Sequence, residues 1–224
     1  FAGQPALETD QYLLAMRDQI IDYIQSHKLN KPVMMGHSLG GFLSLWIASV
    51  QPDLVGDLII VDALPFFPAI QNPEATPESM KPVAANMRKM MASATTEQVK
   101  QSQQYFLSTI ATSPENLALI GKWGVESHQP TVAQAMYEMQ TIDLRDQIEP
   151  VKSRVLVMGA WIAYKQYGVT HDSTMKNFAT QYQKISSVDI KLTDTAKHFI
   201  MFDEPKWFYQ QIDSFLNLNK KSSE

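Results

Sequence analysis

The sequence predicts an α/β fold, a mostly parallel sheet flanked by helices and interrupted by a helical insertion. Three observations predict it. Short apolar runs of strand length alternate with segments whose apolar residues fall at helical spacing. The runs Asp57-Leu-Ile-Ile-Val61 and Arg154-Val-Leu-Val-Met158 are apolar throughout rather than alternating, as strands covered on both faces are. Residues 65–150 differ in texture, with prolines at 65, 68, 73, 77, 82, 114 and 130, many Met and Gln, and several helix starts.

The chain opens on Phe1-Ala-Gly-Gln-Pro5, which has no signal-peptide character and reads as a loop. Gln11 to Ser26 follows as a helix, with Leu13, Met16, Ile20 and Ile24 on one face and Asp10 as the expected N-cap. The apolar run Val33-Met34-Met35 stops at Gly36, and after Ser38 the pattern becomes helical through Leu39, Phe42, Leu43, Leu45, Trp46 and Ile47. Ser38 is therefore expected on a strand-to-helix turn.

Gln51-Pro52 breaks that helix, and the strand that follows ends at Asp62. Inside the insertion, Thr76-Pro77-Glu78 and Ser113-Pro114-Glu115 each put a capping residue before a proline suited to the first helical position. Thr95-Thr96-Glu97 opens a third helix. The sheet resumes at residues 154–158 and again at Val188-Asp-Ile-Lys-Leu192. Asp203-Glu-Pro205 starts a closing helix with Phe208, Ile212 and Phe215 inward, and Asn219 onward is a polar tail.

At 224 residues, 45% hydrophobic and 19% charged, the chain can bury one sizeable core. A formal charge of -4 argues against a nucleic-acid partner. No apolar run reaches the roughly 18 residues that span a bilayer. Cysteine is absent, so there is no disulfide framework or thiolate metal site, and the redox compartment stays open. No set of His, Asp and Glu has metal-ligand spacing, so no metal is expected.

The chemistry centres on Gly36-His37-Ser38-Leu39-Gly40-Gly41. Gly-x-Ser-x-Gly on a strand-to-helix turn is the nucleophile elbow, which holds a serine in a strained conformation with its hydroxyl exposed above the sheet. The flanking glycines are expected to avoid a Cβ pressed on the neighbouring strand or helix. The following helix points its first N–H groups at developing negative charge, which makes the Leu39 amide the natural oxyanion donor. In this elbow, and in the later His198 of Asp194-Thr-Ala-Lys-His198-Phe199, the sequence resembles the α/β-hydrolase superfamily, in its serine esterase and lipase-like branch. The resemblance runs from Phe1 to about Leu218.

That resemblance implies a cofactor-free serine hydrolase with Ser38 as nucleophile and His198, last in chain order, as general base. The family usually places its acid a few residues past the next-to-last strand, but Met158-Gly-Ala-Trp-Ile-Ala-Tyr164 holds no carboxylate. A known variation places the acid one strand earlier, which Asp62 matches; Asp172 and Asp194 are the other candidates. His37 is expected to line or support the site, and His27, His128 and His171 to be solvated.

The family's helical cap corresponds to residues 65–150, its core to 1–64 and 151–219, with the tail at 220–224. Leu64, Phe66, Phe67, Trp161 and Tyr164 lie just past strand ends, where the architecture places its pocket. Met80, Met87, Met90, Met91, Met136 and Met139 could form an adaptable apolar ceiling or simply the cap's own core. The expected substrate is a small ester with an apolar group, since no Arg or Lys cluster near these loops suits a polyanion. A thioesterase, acyltransferase or carbon–carbon hydrolase would use nearly the same residues, and a non-catalytic binding protein or a Met-rich interaction scaffold are readings of other classes.

Only 37 residues precede Ser38, whereas the resembled fold has several strands there, one of them supplying a second oxyanion N–H. An empty central strand position would leave buried backbone groups unpaired. The stable molecule is therefore expected to contain more chain, or to be completed by another segment.

Overall fold

The computed structural model describes residues 6, 7 and 9–217, with backbone alone at positions 104 and 105. The loop expected at 1–5 and the tail expected from 219 onward lie outside the described residues.

Four parallel strands, β1 (Met34–His37), β2 (Leu58–Val61), β3 (Val155–Ala160) and β4 (Val188–Thr193), form a sheet in the order β1-β2-β3-β4. Side chains alternate strictly across it. Leu58, Ile60, Val155 and Val157 face one core with Phe42, Leu45, Ile47, Phe178 and Tyr182. Ile59, Val61, Leu156 and Met158 face the other with Ala196, Ile200, Phe208 and Ile212. Covering on both faces is why these strands read as unbroken apolar runs. β1 is the edge strand of the described sheet, and Met35 on it is 57% exposed.

Helices α1 (Tyr12–Ser26) and α2 (Leu39–Val50) flank β1 in the chain, and α2 is buried over most of its length. Four helices separate β2 from β3: α3 (Pro77–Ala92), α4 (Thr96–Ile110), α5 (Pro114–Glu126) and α6 (Gln129–Thr141). The first three begin where the capping residues predict, with Thr76, Thr95 and Ser113 each accepting a hydrogen bond from the amide three residues on. Then come α7 (His171–Tyr182), a short α8 (Ile200–Asp203) and the closing α9 (Pro205–Leu216).

One cap differs from expectation. The residue before α1 is Gln11 and no local side chain caps it, so Asp10 does not serve. The first amides of the helix, those of Tyr12 and Leu13, instead donate to the two carboxylate oxygens of Glu138, both at 2.7 Å. A buried carboxylate at a helix N-terminus meets both the unpaired N–H groups and the positive end of the dipole. The helical insertion is thereby anchored to α1 through α6.

Most of the methionines in the insertion pack inward. Met139 is buried and Met136 packs on the main core, Met80 lies against Phe66, Ala69 and Ala75, and the Met87 sulfur accepts from Gln140. Met90 is 66% exposed.

Candidate active site

The parallel register places the ends of β1 and β2 side by side, His37 beside Val61, so Ser38 and Asp62 leave the sheet together. Each is held there by a backbone bond to the next strand: the Ser38 amide donates to Val61 O at 2.8 Å and the Asp62 amide to Met158 O at 2.7 Å. Both residues have positive φ, Ser38 at 53° with ψ -116°, and Asp62 at 45°. For serine this lies outside the left-handed well that L-residues tolerate, a strain of about 1–3 kcal/mol that the surrounding packing must hold.

The packing that holds it is visible at two glycines. A Cβ on Gly36 would sit 2.2 Å from the Gly40 backbone, and one on Gly41 would sit 2.7 Å from the Ala63 Cβ. Gly40 departs from expectation, since a Cβ there meets nothing within 4 Å. The tight approach of α2 to the sheet falls one residue later, at Gly41.

Asp62 is bound at both oxygens. Oδ1 accepts the Ala160 amide of β3 at 3.0 Å, and Oδ2 accepts from Nδ1 of His198 at 2.7 Å. A hydrogen on Nδ1 leaves Nε2 of neutral His198 as a proton acceptor. Asp172, by contrast, is fully exposed in the first turn of α7 and bonded to its neighbour His171. Asp194 is exposed as well.

His37, the last residue of β1, packs against His198. Its Nε2–H donates to the His198 carbonyl at 3.0 Å, and its ring is 4.4 Å from that of His198 and 4.6 Å from that of Phe199. Burial, and the adjacent His198, lower its pKa from 6.5 to about 4, so it is neutral at physiological pH. Leu39 opens α2, and its amide is among those a helix leaves without an internal partner. Tyr182, fully buried beneath the β2 end, donates to the Ala63 carbonyl at 2.7 Å. Burial, and next the Asp62 charge, keep its phenol well above the usual range.

The remaining residues expected around the pocket are dispersed. Leu64 is buried in the main core. Phe66 has no exposed surface, carries the Arg145 guanidinium 4.8 Å above its ring, and donates its amide to Gln181. Trp161 is half-buried edge-on to His171, and its indole N–H is buried without a partner. Tyr164 is 47% exposed and Phe67 44% exposed.

A strained serine lies between a parallel strand and a helix, with the Asp62–His198 pair at the end of the adjacent strand, on a doubly covered sheet. The chain belongs to the α/β hydrolase fold family, whose model matches residues 3–205. It is 22% identical over 209 residues to RutD of Rhizobium rhizogenes, provisionally named a carbamate hydrolase, covering 90% of this chain and 73% of that one. It is 25% identical over 201 residues to the sn-1-specific diacylglycerol lipase ABHD11 of Mus musculus, covering 82% of this chain and 58% of the relative. Among solved structures, MenH from S. aureus superposes with a TM-score of 0.76 at 16% identity, over 97% of this chain and 79% of that one. That likeness extends the fold assignment to nearly the whole chain.

Two contributors to the site were not legible in the sequence. The Ala160 amide that holds Asp62 carries no side-chain signal. Tyr182 could have been suspected only from Ala63, the strand-end neighbour to which it donates, and the sequence does not pair the two.

Proposed function

We propose that this protein is a serine hydrolase of carboxylic esters, with residues 1–64 and 151–219 as its catalytic core and residues 65–150 as a helical cap. Ser38 Oγ attacks the acyl carbon while His198 Nε2 takes its proton. Asp62 holds the Nδ1–H tautomer and stabilises the imidazolium that results. The Leu39 amide, at the positive end of α2, donates to the oxyanion. His198 then returns the proton to the leaving alcohol, and water activated by the same imidazole hydrolyses the acyl-enzyme.

The 2.7 Å bond between Asp62 and His198 carries this reading. Although no carboxylate follows β3, one stands a strand earlier already bonded to the histidine, which favours a catalytic over a non-catalytic reading. An ester-cleaving relative such as the lipase is consistent with the substrate class. Of the residues expected around the pocket, His37, Trp161 and Tyr164 are those we assign to the substrate site, since Leu64 and Phe66 are buried.

The test is turnover of p-nitrophenyl esters of increasing acyl length. The reading expects saturable hydrolysis that is lost in Ser38→Ala. Equal rates for the wild type and that variant would remove it.

A further inference from the structure

We propose that Asp203 is a positioning residue that ties the loop bearing His198 to the corner between α4 and α5, so that seating the cap and setting the base are one event. The proposal rests on the serine-hydrolase reading above and deepens it.

His198 sits on a loop, residues 194–199, that receives no ladder bonds from the sheet. Its backbone must be held by other groups. At its root, Glu204 accepts hydrogen bonds from the hydroxyls of Thr193 and Thr195, and Thr193 Oγ1 accepts the Ala196 amide at 3.2 Å. At its tip the holding groups are Asp203 of α8 and residues of the insertion. Asp203 Oδ2 accepts the Lys197 amide at 3.0 Å and the Thr112 hydroxyl at 2.9 Å, while Oδ1 accepts the Thr112 amide at 2.9 Å. Lys197 Nζ donates to the carbonyls of Ser108 and Ala111, at 2.6 and 3.2 Å. The Phe199 amide donates to the Ile110 carbonyl at 2.8 Å.

Both chain neighbours of His198 are thus bonded to residues 108–112, one of them through Asp203 as well. Apolar contact follows the same line: Phe199 and Phe202 pack on Ile110, Ala111 and Ile120, and the Phe199 ring also touches His37. A carboxylate serving α8 alone would have no need to bond both the amide and the hydroxyl of Thr112 in a separate helical corner. Because one face of the loop is made of the corner, a shift of the corner moves the imidazole relative to Ser38. A displacement of about 1 Å at a catalytic group can cost about a hundredfold in rate. A cap lifted to admit substrate would therefore carry a disengaged base, and its closure would restore it.

The experiment compares wild type, Thr112→Val, Asp203→Asn and the double variant with p-nitrophenyl butyrate, by the rate of labelling with a fluorophosphonate, and by thermal melting. Thr112→Val removes one exposed hydroxyl outside the catalytic residues and is the variant least able to disturb folding. The expected result is a fall of about tenfold in both kcat and labelling rate, with KM within about threefold. The double variant should be no slower than the slower single one, because both cut the same link. A merely structural role would lower the melting temperature and leave kcat and labelling per folded molecule unchanged, and that outcome overturns the proposal. A wild type that neither turns over the ester nor takes the label removes the serine-hydrolase reading, and this one with it. An active wild type matched by its variants overturns this inference alone.

Discussion

His198 and Asp62, 136 residues apart in the chain, are joined by a 2.7 Å bond from the imidazole Nδ1 to the carboxylate. The carboxylate is held in turn by the Ala160 amide of the neighbouring strand. Asp62→Asn should keep the fold, since an amide can still accept from Ala160. Its one oxygen cannot serve both Ala160 and Nδ1–H, so its NH2 faces Nδ1 and the ring takes the Nε2–H tautomer, which cannot accept the Ser38 proton. Turnover of p-nitrophenyl butyrate should fall by about a thousandfold or more, with the melting temperature nearly unchanged. A loss within about threefold would take the acid role away from Asp62.

His37 should make stability depend on pH. Its folded pKa, about 4, lies below the 6.5 of the unfolded chain. Above pH 6.5 the ring is neutral in both states and its full contribution is present. As pH falls the unfolded chain binds the proton first, so stability is lost between about 6.5 and 4 and levels off below. The arithmetic gives a loss of about 2 kcal/mol by pH 5. His37→Gln retains a donor for the His198 carbonyl without titrating, and its urea midpoint should fall less from pH 7 to pH 5 than that of the wild type.

The glycines of the elbow should separate by cost. Gly36→Ala forces a Cβ to within 2.2 Å of the Gly40 backbone and should destabilise by more than about 3 kcal/mol or prevent folding. Gly40→Ala places its methyl in open space on a helix and should leave stability unchanged, or raise it by up to about 1 kcal/mol. Chemical denaturation of the two variants measures the contrast.

Glu138→Ala should loosen α1. It strips the acceptors of two helix-terminal amides and leaves Gln134 without the carboxylate to which it donates at 2.6 Å. A loss of about 2–3 kcal/mol is expected. Amide hydrogen exchange should quicken in the first turn of α1 and at the facing turn of α6, and less so in β3.

Much of this architecture was legible because local chemistry and global fold agree. The strands read as apolar runs because they are covered on both faces, and Thr76, Thr95 and Ser113 mark helix starts because their hydroxyls find amides three residues on. Ser38 was legible because the strand, the glycines and the helical pattern converge on one residue. What was not legible depends on distant pairing. The α1 cap lies on Glu138, more than a hundred residues away, and no local pattern points to it. α7 carries a polar sequence that buries chiefly Phe178, Gln181 and Tyr182, so its periodicity is faint. The tight glycine is Gly41 rather than Gly40 because the helix meets the sheet at Ala63, a contact set by the register of β1 on β2.

The central claim is that Ser38 is an activated nucleophile whose base is His198. Labelling with a fluorophosphonate probe, wild type beside Ser38→Ala and His198→Ala, tests it most directly. The prediction is labelling of the wild type, none of Ser38→Ala, and at least about a hundredfold slower labelling of His198→Ala. A folded wild type that takes no label, or a Ser38→Ala protein labelled as fast as the wild type, would contradict it.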